Sequence, residues 1–473
     1  MQDHTQKLNM RNTGFVLGPI LFSLVLVLPH DELPFEAKAV LGLSLWMGVW
    51  WVTETIPIYV TALLPLVIFP LLGVTDLSKT SAYYADRIVF LLLGGFFLAS
   101  TIEKTNLHQR FAFTMLKFSG TNPKHIVGAF VIVTGSLSAW MSNTATTLLM
   151  IPIASAILNS IQIHNKERFG VCLILCIGYA ASIGGVSTLI GTTPNAIFAS
   201  LAKSLVGVDV SFVQWMLVGV PVAGISLFVM WLYMVNLGAK LNGVSILGEK
   251  DFVAKKLENL GRLTRDEKIV MLVFAATITA WVTRGLVWGN SFPLLDDSAI
   301  AIMAAIAMFL IPSENKKRLL DWGVATKIPW GILILIGGGL ALAGGFTITG
   351  IDKWVASQLT FLEGLHLLVV LLLLVFIVVF LEFMSNTATA ALLIPISAAI
   401  ASIMGVNPIL FMMPVAIASS FGFILPASTP PNAIVISSGY VSPKKMAMTG
   451  LPLNLIMVVI VALLAAVLVP IAW

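Results

Sequence analysis

The sequence predicts an all-α polytopic membrane protein, with about eleven transmembrane helices plus two re-entrant helical hairpins in an inverted-topology repeat. Three observations carry that expectation. Of 473 residues, 58% are hydrophobic and 10% charged, far too apolar a balance for a soluble chain of this length. The hexapeptide Met-Ser-Asn-Thr-Ala-Thr occurs at 141–146 and again at 384–389, each time inside long uncharged apolar sequence. Basic residues gather in alternate connections, as the positive-inside rule requires of a multispanning protein.

Taken in order, the first apolar run lies near 14–29, after Lys7 and Arg11 and before the mainly acidic turn from His30-Asp31-Glu32 to Glu36. It lacks a small-residue cleavage site, so it reads as a retained span, and residues 1–36 stand outside the repeat. Spans follow near 36–53, 56–74 and 87–103. The stretch 123–162 is split by the first hexapeptide. Irregular backbone at membrane depth is tolerated only where protein covers it or a cavity needs it, so this stretch is expected to be a hairpin that enters and leaves on one side. The next span, 169–202, is interrupted at Gly191-Thr192-Thr193-Pro194-Asn195, and 213–236 closes a first unit of 37–236. A basic cytoplasmic linker, 237–265, leads to a second unit of 266–473. Its spans lie near 268–289, 297–312, 329–348 and 450–472, with a hairpin at 364–403 and a broken helix at 408–440, interrupted at Ser428-Thr429-Pro430-Pro431-Asn432.

The spacing shows duplication. One interval separates Ser142 from Ser385, Pro152 from Pro395 and Gly94-Gly95 from Gly337-Gly338; a slightly shorter one separates Ala181-Ser182 from Ala418-Ser419 and Asn195-Ala196-Ile197 from Asn432-Ala433-Ile434. Lys7 and Arg11 place the amino terminus in the cytoplasm. Lys104, Arg110, Lys117, Lys124, Lys166, Arg168, Lys316-Lys317-Arg318 and Lys444-Lys445 then fall inside and Asp296-Asp297 outside, provided the hairpins do not cross. The carboxyl terminus falls outside, and the second unit enters from the opposite face. The net charge of +5 is mostly these loops and predicts no nucleic-acid partner. Cys172 and Cys176, four apart on one helix, read as packed apolar side chains.

Ser-Asn-Thr directly before an apolar helix supplies good caps for its free N–H groups, and the two broken spans offer two further helix starts. Four positive helix ends and several freed carbonyls then converge at mid-membrane: N–H groups and hydroxyls suit an anion, and carbonyls a small hard cation. No Asp, Glu, Lys or Arg occurs within 126–163, 170–202 or 383–443. A bound anion therefore needs co-bound cations, and oxygen-only surroundings favour Na+ over H+. Glu382, whose counterpart is Ala139, is open to two readings: a carboxylate satisfied by hydrogen bonds beside the second tip, or a group taking part in proton coupling. The glycine pairs read as packing positions, and His125 and His164 receive no role.

The paired Ser-Asn-Thr motifs with their Thr-Pro-Asn-type breaks resemble the divalent-anion:sodium symporter family, the INDY-type carriers of di- and tricarboxylates, over nearly the whole chain. The resemblance implies a homodimer in the lipid bilayer of the bacterial inner membrane, each protomer with a scaffold region and a mobile transport region that moves as an elevator. It implies substrate contacts from Ser142, Asn143, Thr144, Ser385, Asn386 and Thr387, with Thr429 and Pro430 shaping the pocket. It implies one Na+ site from Ser138, Ser142, Asn143 and the backbone at Gly191, and a second from Ser385, Asn386 and the backbone at Ser428. Leu381 stands where the first copy has Ser138 and offers no side-chain oxygen. The expected activity is Na+-coupled uptake of a C4-dicarboxylate such as succinate, malate or fumarate, with no cofactor beyond the coupling ion. A carrier of citrate or of an inorganic oxyanion such as sulfate is the alternative. An anion channel would share the polar midplane. A serine hydrolase finds no His, Lys or Asp at local spacing to activate Ser142 or Ser385, so no enzymatic activity is expected.

Overall fold

The computed structural model describes residues 2–27, 33–118, 120, 122–160, 162–241, 244–247, 251–289, 291–315, 317–362 and 364–473. They are overwhelmingly helical. The strand pairing among them is one short antiparallel ladder, Gln162–His164 against Ser245–Leu247. Eight helices among the described residues are long and apolar enough to cross a membrane, and five shorter apolar ones accompany them.

The short ones are short for local reasons. The stretch expected as a span at 56–74 folds as two pieces, Ile58–Thr61 and Leu64–Leu71. Pro65 has no N–H to donate and its ring crowds the carbonyl four residues back, so one helix cannot run through. The interruption is put to use: the Ala62 carbonyl accepts a hydrogen bond from Tyr84 Oη at 2.5 Å. Gly338 lies against the same carbonyl so closely that a Cβ there would come within 2.2 Å of it. The upstream glycine pairs thus serve close packing, and Gly94 likewise backs onto Ala301.

Layering follows from which helices are apolar on every side. Lys166–Gly184 has every residue from Phe169 to Gly184 buried, as does Ile409–Ala418 throughout. Helices apolar all round belong inside a bundle. By contrast, only 11% of the Met10–Val27 window and 17% of the Arg265–Trp288 window are buried in the molecule. The two broken helices therefore lie at the centre, and the helices of those two windows at the periphery. Cys172 and Cys176 are buried free thiols in that centre.

Two helix pairs flank it. Pro123–Ser138 and Asn143–Ser160 meet at a break over 139–142; Leu367–Phe380 and Asn386–Ile403 meet at a break over 381–385. Each broken segment also has two helical parts, Lys166–Gly184 with Thr193–Val206, and Ile409–Ala418 with Pro430–Ser437. The last helix, Pro443–Ala472, begins earlier than hydropathy suggests because Ser442 caps it, accepting from Lys445 N–H at 3.2 Å.

Candidate functional site

The two Ser-Asn-Thr tips form the same local structure. Ser142 Oγ accepts from Ala145 N–H and Ser385 Oγ from Ala388 N–H, both at 3.2 Å, so each serine caps the helix that follows it. The starts of the second helical parts match as well. Thr192 and Thr429 hold nearly identical extended conformations, φ −146° ψ 149° and φ −151° ψ 145°, with proline in the first turn and no side-chain cap bond. Both threonines line the cavity, although Pro430 and Pro431 have no N–H to present at the second helix start.

An unwound backbone inside a membrane protein needs its carbonyls satisfied, and one asparagine does this in each half. Asn195 Nδ2 donates to the carbonyls of Gly185 at 3.0 Å and Thr188 at 2.7 Å. Asn432 Nδ2 donates to those of Gly422 at 2.8 Å and Leu425 at 3.0 Å. Both asparagines are fully buried. They lock the shape of the breaks rather than line the space between them.

That space is a cavity of about 490 Å³. From the tips it is lined by Ser142, Asn143, Thr144, Ser385, Asn386 and Thr387, and from the breaks by Gly191, Thr192, Thr193, Ser428, Thr429, Pro430 and Pro431. The opposite wall is mainly apolar: Ile58, Leu92, Phe96, Pro329, Gly331, Ile332 and Leu335, with Tyr59. No Asp, Glu, Lys, Arg or His is among the lining residues. One side offers hydroxyls, amides and helix N-termini, the other almost no polar group, which suits a solute gripped from one side and merely enclosed from the other.

Behind the first tip sits an oxygen cluster. Ser138 is buried, and its Oγ lies 2.7 Å from both Asn143 Oδ1 and the Ala181 carbonyl. One hydroxyl proton cannot serve both oxygens, so the group has spare acceptor capacity suited to a hard cation. Gly185 allows the cluster to close: a Cβ there would lie 2.5 Å from Asn143 Oδ1 and 3.2 Å from the Gly191 carbonyl. Thr188 Oγ1 ties the segment back to the Ala139 carbonyl at 2.5 Å. In the second half Leu381 replaces Ser138. Glu382, buried, accepts from Ile424 N–H at 3.1 Å to Oε1 and 3.2 Å to Oε2, and from Asn454 Nδ2 at 3.4 Å.

Of the residues singled out in the sequence, Ser142, Asn143, Thr144, Gly191, Ser385, Asn386, Thr387, Ser428, Thr429 and Pro430 all face this one cavity. Ser138 stands outside it, touching Asn143 from behind. Sequence reasoning missed the tying function of Asn195 and Asn432, although both stand in the repeated break motif. It also missed Asn454 and the apolar wall.

Comparison with known proteins agrees over nearly the full length. Residues 10–472 match the family model described as the sodium:sulfate symporter transmembrane region. The chain is 41% identical to the sodium-dependent dicarboxylate transporter SdcS of Staphylococcus saprophyticus, over 97% of this chain and 91% of the relative. It is 40% identical to SdcS of Staphylococcus aureus over the same shares. Among solved structures it is similar to the YdaH transporter of Alcanivorax borkumensis, with a TM-score of 0.60 at 13% identity over 91% of this chain and 99% of that one. MtrF of Neisseria gonorrhoeae gives 0.58 at 12% identity, over 83% of each chain. At such low identity these two likenesses speak for the fold alone.

Proposed function

Because the chain belongs to the divalent-anion:sodium symporter family, we propose that it couples inward Na+ movement to uptake of a C4-dicarboxylate such as succinate, malate or fumarate. It is an integral membrane transporter of the Na+-coupled dicarboxylate class and not an enzyme. The finer reading rests above all on one observation: both Ser-Asn-Thr tips and both break starts open into a single cavity without an ionised side chain.

A dianion entering such a cavity meets N–H dipoles worth roughly half a charge at each helix end, which offset only part of the cost of burying it. Two cations held by the surrounding oxygens complete the compensation, so solute and ions load together or not at all. In this reading Ser142, Asn143, Thr144, Ser385, Asn386 and Thr387 hold the carboxylates, while Thr429 and Pro430 shape the pocket. One Na+ sits among Ser138, Ser142, Asn143 and the Gly191 backbone, and the other among Ser385, Asn386 and the Ser428 backbone. The spare acceptor capacity at Ser138 supports the first site. Thr188 Oγ1 on the Ala139 carbonyl and Ile424 N–H on Glu382 tie each tip to its break as one body, and the apolar wall gives it a surface to slide along without breaking hydrogen bonds. That is the motion of an elevator. The family reading also brings a homodimer, two inverted units of 37–236 and 266–473 joined by the linker 237–265, a cytoplasmic amino terminus and an outward carboxyl terminus in the inner membrane.

The test is uptake by proteoliposomes under Na+, K+ or pH gradients, against mono-, di- and tricarboxylates and sulfate. Succinate uptake is expected to need Na+ and to be competed by malate and fumarate more strongly than by citrate or sulfate. Uptake unchanged without Na+ but driven by a pH gradient would overturn the sodium coupling. Stronger competition by citrate or sulfate would reassign the substrate.

A further inference from the structure

The repeat leaves one chemical mismatch at the heart of the molecule. In the first half the tip backbone brings Ser138 and Ala139 to the cation cluster; in the second the same positions hold Leu381 and Glu382. A hydroxyl is lost and a carboxylate gained, side by side.

Glu382 is buried, and Ile424 N–H and Asn454 Nδ2 both donate to it, an arrangement that fits an anion. None of the ion pairs among the described residues involves it. It is absent from the cavity lining, so it stands behind the wall. Gly422 fixes how close: from the point where a Cβ would sit, Glu382 Oε2 is 3.3 Å away and Ser428 Oγ 3.0 Å away. The carboxylate and the Ser428 oxygen thus flank one glycine. Burying a carboxylate without an ionic partner is costly, and a cation held nearby relieves that cost.

Resting on the Na+-coupled reading above, we propose that Glu382 sets the Na+ affinity of the second site through space. Its charge compensates for the hydroxyl that Leu381 does not supply, without touching ion or substrate. Asn454, reaching in from the helix Pro443–Ala472, and Ile424 hold the carboxylate at that place. Asn454 Oδ1 has no partner. That makes Glu382→Gln a clean probe: the new amide donates to Oδ1 after Asn454 turns over, and its oxygen still accepts from Ile424 N–H. The strut survives and only the charge goes.

The readout is the Na+ concentration for half-maximal succinate uptake in proteoliposomes. Removing a unit charge several ångströms from the ion is expected to raise it about tenfold, with the rate at saturating Na+ kept within about twofold, while Glu382→Asp stays within about threefold. A Gln variant with unchanged half-saturation would show a purely structural carboxylate and overturn the proposal. Should the Gln variant not insert, infrared difference spectra of Na+ against K+ on wild type and Glu382→Asp decide instead. A carboxylate stretching change that differs between the two supports the proposal, and identical spectra overturn it. Wild-type uptake independent of Na+ would bring down the coupling itself, an outcome distinct from a Na+-dependent wild type with an indifferent Gln variant.

Discussion

The two halves of the cavity's polar side share their backbone and differ in what holds it. In the first, the break leans on neutral oxygens: Asn195 ties the Gly185 and Thr188 carbonyls, Thr188 ties the Ala139 carbonyl, and Ser138 adds its hydroxyl. In the second, Asn432 repeats its twin, but Ser428 and the carboxyl-bearing Glu382 take the places of Gly191 and Ala139. The tips diverge too. Trp140 stacks on Phe212 with centroids 6.1 Å apart and meets Phe274 edge-on at 5.0 Å, whereas its counterpart Phe383 is exposed. Duplication fixed the geometry of the breaks; the chemistry around them then drifted independently. The halves should therefore respond unequally to the same substitution.

The largest difference is expected from the ties. Asn195→Leu removes the side-chain donor to two buried carbonyls, leaving that of Gly185 unsatisfied at about 1–3 kcal/mol and that of Thr188 with only the long 3.4 Å bond from Gly191 N–H. Asn432→Leu does the same, but Ser428 Oγ still lies 2.8 Å from the Leu425 carbonyl and can keep it paired. Thermal unfolding in detergent and succinate uptake should both show the first variant more severely affected, with uptake abolished. Equal losses would mean that Ser428 does not share the task.

Next comes the space at the break glycines. An added Cβ at Gly185 would fall 2.5 Å from Asn143 Oδ1, a side chain of the site itself; at Gly422 the nearest atoms are at 3.0 Å. Gly185→Ala should therefore displace Asn143 and cut uptake by about a hundredfold, the cost of misplacing one contact in a preorganised site, while Gly422→Ala should remain within about fivefold. Kinetic comparison at saturating Na+ checks the order.

How much of this was legible in the sequence depends on contrast. Ser142 and Ser385 stand out because polar residues amid apolar sequence are rare and here recur in register, so the tips, the breaks and their meeting in one cavity were all readable. The opposite wall was not. Leu92, Ile332 and Leu335 are apolar residues in apolar helices, and periodicity cannot tell a wall facing a cavity from one facing lipid or core. Asn454 is a lone polar residue whose partner, Glu382, is remote in sequence. The broken helix at 56–74 was concealed by its hydropathy, although Pro65 carried the signal.

On the sodium reading proposed above, a smaller effect should come from exchanging the side chains that differ at the two oxygen clusters. Ser138→Ala deletes a first-site hydroxyl and should raise the half-saturating Na+ about tenfold, while Leu381→Ser, which supplies the missing one, should lower it about threefold. If Leu381→Ser left Na+ dependence unchanged, the second site would owe nothing to that position.

The smallest difference lies outside the membrane-spanning segments, where among the described residues the first of the two broken helices has an ionic clasp and the second has none. Asp209, in the loop after Thr193–Val206, pairs with Arg87, whose Nη1 is 2.9 Å from Oδ2, and lies 3.5 Å from Lys203 Nζ. Partial burial raises the Asp209 pKa, but Arg87 and Lys203 outweigh it and hold the carboxyl below its usual range. A depressed carboxylate contributes stability that is complete above its unfolded pKa of about 3.9 and is lost as pH falls through the folded value. The side chain is 49% exposed, so solvent screening limits the contribution to about 1 kcal/mol or less. Asp209→Asn should therefore lower the unfolding temperature slightly at neutral pH, and the deficit should vanish as acidification protonates the wild-type carboxyl. The loop at 438–442 carries no acidic residue and relies on Ser438 and Ser442 as caps. A deficit that persisted in acid would assign the effect to lost packing instead of charge, and the two loops would then be held by the same kind of contact.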